Sequence, residues 1–280
     1  MFDKEAAQDL YVTNLIKAFW KQLNEGDADS TALLSGIAQA TATEHLKAYM
    51  REPNDQQAMT ELGLDGDPAA SGANVQLVFH NNYGLNKVDY YLRRKIETDV
   101  ALDYDSFARV TTTAIITNTA PSSGPLTDLL GKSPKKQGIN RMLLASLLPR
   151  GSTAEEYVEV RGDNKPRSLA HFVYKDDGFP VAWNVLRLRP SETASLTIDY
   201  TMPDAINLAR DGEFQMSLLP QPATVPIGDD VTISPPEGLL IQDAGQVQSE
   251  PAKTLTLSGH PGSGEGDSHD AAPRGGLERT

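Results

Sequence analysis

Between Arg109 and Asn118 the chain alternates without a slip. Thr111, Thr113 and Thr117 fall around Ile115 on one face, and Val110, Thr112, Ala114 and Ile116 fall on the other. A period of two is the mark of a strand buried on one side. Ala194 to Thr201 repeats it, with Leu196, Ile198 and Tyr200 opposite Ser195, Thr197 and Asp199. Eight further short segments read as strands: Val75 to His80, Val88 to Arg94, Met142 to Leu148, Glu156 to Arg161, Leu169 to Lys175, Val181 to Arg189, Glu213 to Leu219 and Val231 to Ser234. No helical pattern intervenes, so the strands must pair antiparallel, in two packed sheets or a barrel. The expected class is α+β: an N-terminal helical segment, then an antiparallel, immunoglobulin-like β-sandwich, then a disordered tail.

The helical segment covers residues 1–64 and has a different period. Val12, Leu15, Ile16, Phe19, Trp20 and Leu23 recur at steps of three and four, on a helix from about Asp3 to Leu23 that ends before Gly26. Ser30 is the expected N-cap of a second helix, whose stripe runs from Leu33 to Met50 and stops at Pro53. Asp55 is expected to cap a short third helix closed by Gly63. An aromatic run such as Phe19-Trp20 usually belongs to a core. Asp65 to Ala73 is a Gly, Asp, Pro, Ala and Ser linker, and the sandwich domain is expected over 74–240.

Only 39% of the 280 residues are hydrophobic, low for a chain folded throughout. Residues 258–280 hold a single large apolar residue, Leu277, and are expected to stay disordered because they cannot offset their ordering entropy. Lys253 to Leu257 is read as one more edge strand. The net charge of -13 opposes a nucleic-acid partner, and the absence of cysteine excludes thiolate chemistry and disulfides. No apolar run is long enough to span a bilayer within this chain.

Residue patterns yield no catalytic, cofactor-binding or metal site. Gly131-Lys132-Ser133 lacks the earlier glycine of a phosphate loop and is followed by Pro134 rather than a helix. His45, His80, His171, His260 and His269 never pair at ligand spacing, and the Asp99, Asp103 and Asp105 run lacks the rest of a calcium loop. The densest polar cluster is Asn86-Lys87-Val88-Asp89-Tyr90-Tyr91-Leu92, where strand alternation puts Lys87, Asp89 and Tyr91 on one face. These three residues and Trp183 are the candidate ligand contacts. Should polysaccharide bind, Tyr83, Tyr90, Tyr91 and Trp183 are the rings on which sugars would stack.

Several motifs occur in a telling order: Asn86-Lys87-Val88-Asp89-Tyr90-Tyr91, then Thr117-Asn118-Thr119-Ala120-Pro121, then Pro220-Gln221-Pro222, then Pro235-Pro236-Glu237-Gly238. Together they resemble the C-terminal half of the actinobacterial family called domain of unknown function 4012, over roughly Asp9 to Gly238. The helices around Phe19-Trp20 are similar to those that precede the Asn-Lys-x-Asp-Tyr-Tyr motif in that family. The resemblance implies an extracytoplasmic, membrane-anchored envelope protein. It also implies an upstream transmembrane helix and an α/β region like the LytR-CpsA-Psr glycopolymer phosphotransferases, so that Met1 stands at a split, misassigned or truncated start. No position here matches the phosphotransferase arginines and aspartates, and no catalytic residue is carried over. The function expected is a non-catalytic β-sandwich module that binds cell-wall polysaccharide or supports envelope-assembly proteins. The enzyme-class alternative is the C-terminal piece of such a phosphotransferase, with its active site upstream. A cytoplasmic adaptor is a third reading.

Overall fold

The computed structural model describes residues 4–26, 29–42, 45–72, 74–84, 86–103, 107–124, 129–131, 133, 136–162, 164–170, 172–203, 205, 213–223, 227–234, 239–244 and 253–261. Three helices come first: α1 (Lys4–Glu25), α2 (Ser30–Ala42) and α3 (Pro53–Glu61). The cap of α2 is Asp29 rather than Ser30, because its Oδ1 accepts from the backbone N–H groups of Thr31 and Ala32 at 2.9 and 3.3 Å. Likewise α3 starts at Pro53, which places Asp55 inside the first turn instead of at the cap. The α2 stripe expected to reach Met50 stops at Ala42, and residues 45–50 are not helical. Phe19 and Trp20, expected in a core, are more than half exposed and meet each other edge to face with centroids 6.0 Å apart.

Thirteen strands follow among the described residues: β1 (Val75–Asn82), β2 (Leu92–Leu102), β3 (Ala108–Asn118), β4 (Asn140–Leu147), β5 (Thr153–Arg161), β6 (Arg167–Ser168), β7 (Phe172–Asp176), β8 (Phe179–Leu188), β9 (Thr193–Met202), β10 (Glu213–Leu219), β11 (Gly228–Ser234), β12 (Leu239–Ala244) and β13 (Lys253–Pro261). They form a seven-stranded sheet, β12-β13-β10-β1-β4-β8-β7, and a six-stranded sheet, β11-β2-β3-β9-β5-β6. The α+β sandwich expected from the sequence is thus the observed class, with one change. Each sheet is mixed, because β1 pairs parallel with β10 and β11 pairs parallel with β2. Both parallel pairs join strands far apart in sequence, where no hairpin enforces antiparallel pairing. Two further corrections concern the C-terminal part. β12 and β13 extend the sheet past residue 240, and β13 runs through Pro261, so residues 258–261, expected in the tail, are strand; residues 262–280 lie outside the described residues.

One face of each sheet fills the core. Val78, Met142, Leu144, Leu186, Leu188, Phe214 and Met216 from the first sheet meet Ile96, Val110, Ile116, Tyr157, Leu196, Ile198 and Tyr200 from the second. Each such side chain contributes about 1.5–3 kcal/mol on burial. In the middle sits one polar network. Gln76 Nε2 donates to Thr112 Oγ1 at 3.0 Å and to Thr98 Oγ1 at 3.3 Å, and Gln76 Oε1 accepts from the Tyr200 hydroxyl at 2.5 Å. Burial pushes the Tyr200 phenol far above its ordinary value, so it stays a donor. The network ties β1 to β2, β3 and β9 across the sandwich.

Candidate functional site

At one end of the sandwich polar side chains take inward-facing positions on four strands: His80 and Asn82 in β1, Arg94 in β2, Asn118 in β3 and Asn140 in β4. The register sets them together, since Asn82 lies opposite Met142 and Leu92 opposite Asn118. Against this end lies Val88–Tyr91, a turn of 3-10 helix and not the strand that alternation suggested. In a 3-10 turn residues i and i+3 share a side. Tyr91 therefore joins Val88 against Ala120 and Leu130 in a small satellite core, while Asp89 points elsewhere. The expected single face of Lys87, Asp89 and Tyr91 does not exist. Lys87 stands exposed ahead of the turn, held by its N–H donating to the Leu129 carbonyl at 3.2 Å.

Asp89 reaches into the polar end. Its Oδ1 accepts from Asn140 Nδ2 at 2.7 Å and lies 3.5 Å from His80 Nε2. Arg94 Nη1 is 2.6 Å from His80 Nδ1. Gln221 Oε1 lies 2.9 Å from the same Nδ1, so this nitrogen faces one group that only donates and one that only accepts. Gln221 completes the cluster: its Oε1 accepts from Arg94 Nη1 at 2.6 Å and from the His80 N–H at 3.0 Å, and its Nε2 donates to the His80 carbonyl at 2.8 Å. Burial works to raise the Asp89 carboxyl, but hydrogen bonds from His80, Asn140 and Asn82 outweigh it and hold the group below its ordinary 3.8. The Asn140 amide cannot flip without facing Asp89 oxygen to oxygen, and its buried Oδ1 is left without a donor. The Asp89 side chain remains 38% exposed, next to a Tyr90 ring that is 58% exposed and braced edge to face on Tyr91. An ionised, part-exposed carboxylate beside an open ring suits hydroxyl or amino donors of a ligand.

The cluster unites three of the sequence motifs. Asp89 belongs to the Asn-Lys run, Gln221 to Pro220-Gln221-Pro222, and Thr119, after the threonine-rich strand, donates through both N–H and Oγ1 to the Tyr91 carbonyl. The fourth motif, 235–238, lies outside the described residues. Sequence reasoning missed Arg94 and Asn140 and set His80 aside. For Asn140 the signal was available as the loss of apolar character at the last inward position of the strand, as at Asn82 and Asn118, whereas Arg94 gave no such signal because the buried Leu92 lies beyond it.

Trp183 is not part of this cluster. It stands on the outer face of the seven-stranded sheet, in a cross-strand row Phe79, Ala145, Trp183, Phe172. Its ring stacks on Phe172 with centroids 4.6 Å apart and planes 20° from parallel. Phe172 is 57% exposed, and Tyr174, two residues along the same edge strand, is half exposed. The β7–β8 hairpin that presents them turns through Asp177 and Gly178, both at positive φ as a tight two-residue turn requires. Tyr83 is also half exposed, beyond the end of β1.

The six-stranded sheet carries an open groove of about 540 Å³ on its outer face, its polar lining made by Arg109, Thr111, Glu155, Glu156, Ser168 and Asp199. A β-bulge between Ala154 and Glu156 makes one wall. Among the described residues no cluster of three His, Cys, Asp or Glu side chains has metal-binding geometry. No helix of the described residues is long and apolar enough to cross a membrane.

No family model matches the chain, and no curated protein matches it. Solved structures do. One is a protein described as nutrient-binding from Legionella pneumophila, at 8% identity and TM-score 0.36, covering 65% of this chain and 70% of that one. Another is an M1 zinc metallopeptidase from Deinococcus radiodurans, at 14% identity and TM-score 0.29, covering 60% of this chain and 39% of that one. A third is a protein described as a protease from Parabacteroides distasonis, at 11% identity and TM-score 0.29, covering 66% of this chain and 39% of that one. This chain spans under half of each of the last two, and similarity this low carries no argument about its activity.

Proposed function

We propose that the chain is a non-catalytic β-sandwich module of an actinobacterial cell-envelope protein, and that it binds cell-wall polysaccharide. The observation that carries the reading is the stacked Trp183–Phe172 pair at the open edge of the seven-stranded sheet. Phe172, Tyr174 and Val185 on this face are about half exposed while Trp183 is half-buried beneath them, and a contiguous exposed apolar patch marks an interaction surface. The apolar face of a pyranose is flat and matches such a ring, and its hydroxyl rim is met by nearby polar groups. The order of motifs resembling domain of unknown function 4012 supports the envelope setting, and the first three of them meet at the Asp89 end of the same sandwich. Affinity electrophoresis through gels containing soluble cell-wall glycans tests this. The wild-type chain should be retarded, and Trp183→Ala and Phe172→Ala should migrate freely while still unfolding in one cooperative transition, Trp183→Ala at a lower temperature because its ring packs on Val181 and its neighbours. Equal retardation of all three would remove the platform from the reading.

A further inference from the structure

The outer face of the seven-stranded sheet carries charge as well as rings. Along β8 its outward positions run Trp183, Val185, Arg187, and directly opposite them on β4 stand Ala145, Leu143 and Arg141. Arg141 and Arg187 are therefore cross-strand neighbours, and both are exposed. Like charges in that relation destabilise a sheet. Among the described residues neither arginine has an ion pair. Acids are not scarce, with 38 against 25 basic residues, and Arg150, Arg161 and Arg167 each hold one. The outward positions of β1, β4, β8 and β7 include one carboxylate, Asp176, at the far hairpin. The backbone at the arginine row is pinned from both sides: the Tyr83 N–H donates to the Arg141 carbonyl at 3.0 Å, and Arg161 Nη1 donates to the Arg187 carbonyl at 2.7 Å.

We infer that Arg141 and Arg187 form a subsite for the carboxylate of a uronic acid, so that the proposed polysaccharide partner is an acidic glycan with one ring on Trp183 and a charge on the arginine pair. Two independent observations converge on one surface. The contiguous exposed apolar strip of Phe172, Tyr174 and Val185 marks a place where a partner is met. The unpaired arginines end that strip: four residues at about 3.3 Å each set Arg187 about 13 Å from Trp183 along β8. A guanidinium fork matches the two oxygens of a carboxylate, and a carboxylate recovers the cost of holding two like charges side by side. Because a uronic carboxylate projects from the sugar ring itself, a chain lying along β8 brings rings and charge to the same face. The net charge of -13 repels a polyanion from the molecule at large, which confines such a ligand to the face whose one carboxylate is remote. The inference rests on the polysaccharide reading but uses residues distinct from Trp183 and Phe172, so the two can fail separately.

The test is calorimetric titration of the full chain with the galacturonic acid hexamer, with its methyl ester, which keeps the rings and removes the charge, and with an oligomer of glycerol phosphate. The acid should bind about tenfold more tightly than the ester, and the Arg141→Gln/Arg187→Gln double variant should lose about tenfold for the acid while its affinity for the ester stays the same. Both arginines are exposed on strands, and glutamine at these positions leaves the core untouched. Equal affinity for acid and ester, or an unchanged double variant, would overturn the inference. Tighter, arginine-dependent binding of the glycerol phosphate oligomer would overturn the assignment to a carboxylate. If acid and ester bind equally and Trp183→Ala abolishes both, the stacking platform stands and the arginine subsite falls. Loss of the acid in the double variant with Trp183→Ala unaffected supports the subsite and removes the platform. Binding of none of the three would overturn the inference and count against the polysaccharide reading.

Discussion

Asn118 Nδ2 donates to the Gly138 carbonyl across 2.8 Å, and this bond closes the polar end of the sandwich. The same amide donates to the Leu188 carbonyl at 3.1 Å, and its Oδ1 accepts from the Ala120 N–H at 3.0 Å. One fully buried side chain therefore satisfies three backbone groups from three segments. Gly138 sits at φ 68°, and a Cβ there would lie 2.5 Å from the Pro121 carbonyl oxygen and 2.8 Å from Pro190 Cγ. We expect Asn118→Leu to cost about 2–4 kcal/mol, because it orphans buried polar groups. Gly138→Ala should cost about 2 kcal/mol or more through strain and overlap. Urea unfolding followed by circular dichroism measures both, and a loss below half a unit on that scale, about 0.5 kcal/mol, would contradict the assignment.

The Gln76 network gives a graded expectation. Tyr200→Phe removes one donor while Gln76 Oε1 still meets Thr112, so the loss should be near 1 kcal/mol. Gln76→Ala strands Thr98, Thr112 and Tyr200 together and opens a cavity, for about 2–4 kcal/mol. The ordering of the two variants in chemical denaturation is the check.

Asp89 links the candidate site to pH. Its folded carboxyl titrates below the ordinary 3.8, so it stabilises the fold fully above that value, and the contribution is lost as pH falls through the folded value. Asp89→Asn should therefore melt lower than wild type at neutral pH, and the gap should close as pH drops below about 4. Melting curves across that window decide it; a gap that persists unchanged in acid would show that the carboxylate charge contributes nothing.

The exposed α1 stripe makes a contrary expectation. Phe19→Ser and Leu15→Ser should change unfolding of the sandwich by less than about 0.5 kcal/mol, whereas Ile116→Ala should cost about 2–5 kcal/mol. A large effect at Phe19 would mean that the helix is packed in solution.

How far the sequence could be read follows from the physics of each element. Residues 109–118 and 194–201 were legible because one buried face imposes a strict period of two, and their mutual pairing carries the core. Val88 to Tyr91 was misread because Val88 and Tyr91, three apart, share a side in a 3-10 turn, while a short run of mixed residues also fits alternation. β2 beyond Arg94 was missed because its outward positions are charged residues, including Lys95, Glu97 and Asp99, which lower its apparent β propensity. The Asp89–Asn140 bond spans 51 positions, and the Phe172–Trp183 stack depends on the register of a hairpin. Neither relation is visible until pairing is known. The parallel β1–β10 contact is equally remote, which explains the expectation of antiparallel sheets throughout.

The central claim is that the Trp183–Phe172 face meets sugar, and the tryptophan can report it directly. The chain has two tryptophans, Trp20 and Trp183, so a Trp20→Phe variant leaves Trp183 as the single indole emitter. Titrated with a soluble cell-wall oligosaccharide that the wild-type chain retains, this variant should show a saturable blue shift of Trp183 emission, which Phe172→Ala weakens. Saturable retention of the glycan with Trp183 emission unchanged throughout would contradict the account.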